Sequence, residues 1–171
     1  PPAFLFLIAA LLVPLFKGPL KNIFVISIPL IGLLIVHNLV IGANETLSFL
    51  HYELTILRVD KLSKAFGYIF NLSAIAALIF GFYQKKSFEF SSILVYIGSA
   101  LGVVFAGDLF TLYMFWELMA VFSTFLILAR KTKKAMSAAK RYLLVHIVGG
   151  LVLLAGIIFH IHETGSIAFN L

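Results

Sequence analysis

Six apolar stretches separated by short polar segments constrain this chain more than any other feature. A helix needs about 20 apolar residues to cross the hydrocarbon core of a bilayer, so 171 residues leave room for about six crossings. Hydrophobic residues make up 62% of the chain and charged residues only 12%, whereas soluble domains carry about 25% charged residues. The sequence therefore predicts an all-α integral membrane protein, multi-pass and in the cell membrane.

The apolar stretches predict helices over residues 3–16, 23–43, 62–83, 90–106, 108–129 and 138–159, in a single transmembrane domain that covers 1–171. The first is short and contains Pro14, so it spans a bilayer only if it is tilted or extended. The longest polar linker, Asn44–Lys61, contains a segment, Leu47–Arg58, that is interpreted as a short extended or interfacial element.

The positions of lysine and arginine predict the orientation. Ten of the thirteen lie in or beside the first, third and fifth loops: Lys17, Lys21, Lys85, Lys86, Arg130, Lys131, Lys133, Lys134, Lys140 and Arg141. The positive-inside rule then places the fifth loop in the cytoplasm and both termini outside. Because these residues lie between apolar stretches, they indicate membrane topology and anionic lipid headgroups rather than nucleic acid as a partner.

Glu117 is the candidate functional carboxylate. It lies nine residues into the predicted helix 108–129, about 13 Å deep and near the middle of a hydrocarbon slab of about 30 Å. Because a charge at that depth costs roughly 2.5–3.5 kcal/mol, the side chain is expected to face the bundle and to exchange a proton. Tyr113 and Thr124 share its helix face and are candidate hydrogen-bond partners. The alternative is a protonated acid that only ties helices together.

Two further residues are candidates for the ion pathway. His146, in the predicted sixth helix, can relay protons through its two ring nitrogens, or it can pack as a neutral side chain. Lys140 can extend to the membrane interface, or it can act on a carboxylate through its charge. Asp108, which follows Gly107 and opens the fifth helix, is interpreted as an N-cap.

The remaining polar residues indicate structure. His37, Asn38 and Asn71 are predicted to form hydrogen bonds between helices. His160 and His162 are two residues apart, and on a helix they point about 200° away from each other, so no metal site is predicted there. The chain is expected to bind no cofactor and to catalyse no reaction by itself.

Small residues indicate close helix packing. Gly98 and Gly102 form a small-xxx-small pattern in the fourth helix, and Gly149, Gly150 and Gly156 lie in the sixth. Such residues let helix backbones approach each other in a membrane.

The fifth helix carries a family resemblance. Residues 107–119, GDLFTLYMFWELM, together with Ser123–Ile127, resemble the proton-translocating antiporter-like subunits. That family comprises Mrp-type sodium/proton antiporter subunits, the antiporter-like subunits of respiratory complex I, and relatives in membrane-bound hydrogenases. Residues 58–64, RVDKLSK, and residues 138–146, AAKRYLLVH, are similar too, so the likeness runs over most of the chain.

The resemblance implies proton or cation translocation within a multi-subunit oxidoreductase, hydrogenase or Mrp-type complex, with Glu117 essential to the ion pathway. Members have two inverted helix repeats after three leading helices, and the lysine that usually partners the glutamate lies in a seventh helix. The chain is then an N-terminal portion of a subunit, or a split subunit that another membrane polypeptide completes. Its predicted partners are other membrane subunits, protons or sodium ions, and lipid. The alternative is an assembly subunit with no ion pathway of its own.

Overall fold

The computed structural model of the chain describes residues 1–49, 52–82 and 87–169 and shows six α-helices with a β-hairpin between the second and the third. The elements are α1 (Pro2–Leu12) with a 3₁₀ turn (Val13–Leu15), α2 (Gly18–Asn38), β1 (Asn44–Phe49), β2 (Tyr52–Arg58), α3 (Lys61–Gly81), α4 (Ser87–Phe105), α5 (Leu109–Leu128) and α6 (Lys133–Thr164).

Five of these helices, α2 to α6, are long and apolar enough to cross a membrane, and Pro2–Leu15 forms a shorter apolar helix. The predicted all-α multi-pass membrane protein is therefore confirmed. The segment predicted to be extended is the antiparallel pair β1–β2, whose register shifts between Glu45 and Thr46.

Two helices have bounds that differ from the predicted ones by about five residues at each end. α2 begins at Gly18 because Pro19 fits the first turn, and Lys64 Nζ donates to the His37 and Leu39 carbonyls where α2 ends. α6 begins at Lys133 because Thr132 caps it, its Oγ1 accepting the Ala135 N–H at 3.0 Å. It continues to Thr164, where Gly165 adopts φ 68°.

The core is built around α4, which packs against α1, α3 and α5. Leu94, Leu101 and Phe105 of α4 are fully or almost fully buried. The two glycines of its small-xxx-small pattern face different helices: Gly98 packs on Phe6 of α1, and Gly102 packs on Phe115 of α5. The pattern therefore brings α4 close to two neighbours, as predicted.

Several contacts define one end of the bundle, called here the hairpin end. Pro1 N lies 3.5 Å from Glu45 Oε2, the Gly107 N–H donates to the Thr55 carbonyl at 2.9 Å, and the Leu109 N–H donates to the Ile167 carbonyl at 2.9 Å. The two ends of the described chain thus lie together beside the hairpin. The opposite end, called here the basic end, carries the Arg130–Lys134 turn. That it faces the cytoplasm remains a prediction from charge.

Candidate functional site

Glu117 lies in the middle of α5 and its carboxylate faces α6. A Cβ atom at position 150 would overlap Glu117 Oε1, so the carboxylate occupies the space that any side chain at Gly150 would need. Gly150 is itself buried and Glu117 is half-buried. Glycine at position 150 therefore leaves the carboxylate room to lie against α6.

Tyr113, one turn before Glu117, lies close enough to the Glu117 carboxylate to interact with it electrostatically. Thr124, the other predicted partner, donates to the Ala120 carbonyl of its own helix at 2.9 Å. Among the described residues, no lysine or arginine forms an ion pair with Glu117.

His146 lies one turn before Gly150 on α6, in the same α5–α6 interface as Glu117. Its ring stacks on Trp116, the neighbour of Glu117, with ring centroids 5.6 Å apart and planes at 29°. The Tyr142 ring centroid lies 5.8 Å from that of His146. His146 Nε2 and Trp116 Nε1 are buried and have no hydrogen-bond partner in the described ranges. Each such group costs about 1–3 kcal/mol of stability if it stays unpaired. A further polar partner at this interface would therefore stabilise the protein.

Lys140 is exposed on α6 near the basic end. It precedes Gly150 by ten residues, which is about 15 Å along the helix axis. The structure therefore brings His146 to the interface that holds Glu117 but leaves Lys140 outside it. Within the described ranges, no ion pair joins Lys140 to Glu117.

Asp108 caps α5 and also holds the hairpin. Its carboxylate, only 2% exposed, accepts the Thr111 N–H at 2.7 Å and the Thr111 hydroxyl at 2.8 Å, which confirms the predicted N-cap. It also accepts the Thr55 N–H at 2.6 Å. This third bond joins α5 to β2 across 53 positions of sequence. No local sequence pattern predicts it.

The other polar predictions have mixed outcomes. His37 Nδ1 lies 3.1 Å from the Tyr68 hydroxyl, which joins α2 to α3 as predicted. For Asn38 and Asn71 the prediction is wrong, because each amide donates to a backbone carbonyl one turn earlier in its own helix. Asn71 Oδ1 packs against Gly32 of α2 instead. An amide inside a helix can reach its own backbone, and here that local bond forms.

His160 and His162 both lie in α6 and have opposite surroundings. His160 Nε2 is buried without a hydrogen-bond partner in the described part of the chain. His162 is exposed, and its Nδ1 lies 3.4 Å from Glu163 Oε1. The helical geometry therefore separates the two imidazoles, as predicted from their spacing.

Comparison with known proteins places these features in context. Residues 106–171, which include α5 and α6, match the family model described as NADH:quinone oxidoreductase/Mrp antiporter, TM. The chain is 30% identical to the Na(+)/H(+) antiporter subunit A1 of Staphylococcus aureus, over 96% of this chain and 23% of that protein. The same subunit of S. aureus strain Newman is 29% identical, with the same coverage. The chain thus spans about a quarter of the length of these curated relatives.

A solved structure has the same fold. It is that of the membrane-bound sulfane sulfur reductase, an archaeal respiratory membrane complex, and it superposes with a TM-score of 0.83 at 20% identity. The superposition covers 98% of this chain and 37% of the chain in that complex.

Proposed function

We propose, on the premise that this chain is a relative of the antiporter-like subunits of Mrp and respiratory membrane complexes, that it forms part of a subunit that moves protons or other cations across the membrane. Glu117 is the group that binds and releases the proton. The observation that carries this proposal is the Glu117 carboxylate lying against Gly150 in the middle of two spanning helices. An ionisable group at such a depth is costly, so a functional role is the default expectation for it.

Tyr113 and His146 assist Glu117 in this proposal. The Tyr113 hydroxyl, which shares the helix face of Glu117, helps to orient the carboxylate. The neutral His146 imidazole, one helical turn from Gly150, accepts a proton on one nitrogen while it releases one from the other. The unpaired Nε2 of His146 and Nε1 of Trp116 support a bridging water between the imidazole and the carboxylate. Lys140 acts only by raising the local positive potential on the basic side.

The charge partner of Glu117 comes from outside the described residues in this proposal. α6 packs mainly against α5, and only 11% of the most apolar 18-residue stretch of α6 is buried. Large apolar side chains of α6 such as Leu144, Val148 and Leu151 are exposed. We propose that further helices of a longer subunit, or of a partner subunit, cover this face and bring a cation near the carboxylate.

The test is Glu117→Gln, compared with Glu163→Gln at the exposed end of α6. Gln keeps the size of the side chain and one acceptor oxygen but cannot release a proton. In proteoliposomes that contain the assembled complex, Glu117→Gln should abolish ion translocation while native-gel migration stays normal, and Glu163→Gln should translocate normally. Normal translocation by Glu117→Gln would contradict the proposal. A complex that no longer assembles would instead favour the role of an assembly subunit.

A further inference from the structure

An apolar groove opens on the outer surface of the bundle between α3, α4 and the end of α5. Its volume is about 400 Å³, and its walls include Ile69, Ala77, Ile93, Ala100 and Leu126. Ser73 and Tyr96 are the polar residues among those that line it. A groove of this size and composition suits a hydrocarbon ligand.

The groove begins near the basic end and stops a little beyond the midpoint of α3 and α4. From the ends of α3 and α4 at the basic end, its shallow residues Ala77 and Ile93 lie about 6–9 Å down, and its deep residues Ile69 and Ala100 lie about 18–20 Å down. One leaflet contributes about half of the 30 Å hydrocarbon thickness. A spanning helix from another subunit would need a groove through both leaflets, whereas an acyl chain fills one.

A second cavity, of about 500 Å³, shares the lining residue Leu126 with the groove. Arg130, Lys134 and Thr132 line this cavity at the turn into α6. The first residues of α6 border it too, and the N-terminus of a helix favours a negative group. Within the part of the chain that the structure describes, neither Arg130 nor Lys134 has a carboxylate partner. The cavity therefore offers two cations and a helix N-terminus to an anion at the membrane surface.

Because the groove and the basic cavity share a wall at Leu126, we propose that together they bind one anionic phospholipid from the leaflet at the basic end. One acyl chain lies along α3 and α4, and the phosphate is held by Arg130 and Lys134. Each lysine or arginine near a membrane surface contributes about 1 kcal/mol to anionic lipid binding. The proposal is independent of proton transfer at Glu117.

The headgroup part is tested by native mass spectrometry of the protein as purified in mild detergent, titrated with phosphatidylglycerol or with phosphatidylcholine of the same acyl chains. The wild type should retain phosphatidylglycerol preferentially. The double variant Arg130→Gln/Lys134→Gln should weaken its retention by about fivefold for each cation removed. The matched pair Lys133→Gln/Arg141→Gln removes the same charge from the same end but does not line the cavity, so it should leave retention unchanged. Equal retention of the two lipids by the wild type would overturn the proposal.

The acyl part is tested by Ala77→Phe, which fills the groove. The control is Ala76→Phe, because Ala76 is also exposed on α3 but does not line the groove. Only Ala77→Phe should reduce lipid retention. Glycerophosphate, which has the anion without the chains, should not displace the lipid. If it does, or if the two phenylalanine variants behave alike, the site binds a phosphate group alone or nothing at all, and the proposal fails. The headgroup variants lie on the surface and keep the test decisive if Ala77→Phe does not fold.

Discussion

The Glu117 carboxylate occupies the space in front of Gly150, so at this contact an acid on α5 meets a missing side chain on α6. The relationship makes Gly150 part of the candidate site although it carries no chemistry of its own. Gly149, its neighbour, has open space around it. The two adjacent glycines therefore form a matched pair for experiment.

Gly150→Ala should destabilise the protein relative to Gly149→Ala. A methyl group at position 150 must push the carboxylate aside. Because the carboxylate ends a flexible side chain, the cost should be about 1 kcal/mol, the low end of the range for overpacking. At position 149 the same change meets no atoms and gains up to about 1 kcal/mol of helix propensity. Thermal unfolding in detergent, read together with ion translocation, measures the difference. Equal stability and equal activity of the two variants would show that the approach of Glu117 to Gly150 does not matter.

His146→Phe should separate the two interpretations of the histidine. Phenylalanine keeps an aromatic ring to stack on Trp116 but has no nitrogen to carry a proton. If His146 relays protons, His146→Phe and His146→Ala should both slow translocation, by about 10²-fold or more, the range typical of a lost proton-transfer group. If it only packs, His146→Phe should stay near wild-type activity while His146→Ala loses stability.

Asp108→Ala should loosen the hairpin as well as α5. The change removes the acceptor of three hydrogen bonds, two of them from backbone N–H groups, and buried donors left unpaired cost about 1–3 kcal/mol each. We expect a loss of about 2–4 kcal/mol of unfolding free energy, and faster proteolysis between β1 and β2. Asp108→Asn keeps one acceptor oxygen and should lose about half as much. The exposed Glu53→Gln is the control and should change neither quantity.

Asp60 should make stability fall at low pH. Asp60 caps α3, and its carboxylate accepts the Ser63 backbone N–H at 2.7 Å. This hydrogen bond is the largest of the effects that hold the pKa of Asp60 below the ordinary value of 3.8, and the Ser63 hydroxyl and Arg58 lower the pKa further. Because the folded pKa is the lower one, this stabilisation is fully present above pH 3.8 and is lost as the pH falls through the folded pKa. The stability of the wild type relative to Asp60→Asn should therefore decrease from pH 5 to pH 2. A constant difference over that range would show that Asp60 is not the responsible group.

Local sequence was sufficient to predict some features and insufficient for others. The cap at Asp108 depends on neighbours within three residues, and the spanning helices depend on long apolar stretches, so both were predicted. The start of α6 was missed because the run of basic residues after Ala129 was interpreted as a loop, although Thr132 can cap a helix. The Thr55–Asp108 bond and the contact of Glu117 with Gly150 depend on how distant segments pack, and neither leaves a signal in the spacing of residues.

The hydrogen bond from Thr55 to Asp108 fixes the start of α5 at the hairpin end. Glu117 follows Asp108 by nine residues, so it lies about 13 Å further along the helix axis. A proton that binds Glu117 from the hairpin end would then cross nearly half of the hydrocarbon thickness of about 30 Å. Moving a unit charge across the whole membrane changes its energy by about 2.3 kcal/mol per 100 mV. Proton occupancy of Glu117 should therefore respond to voltage, by about 1 kcal/mol or roughly fivefold per 100 mV.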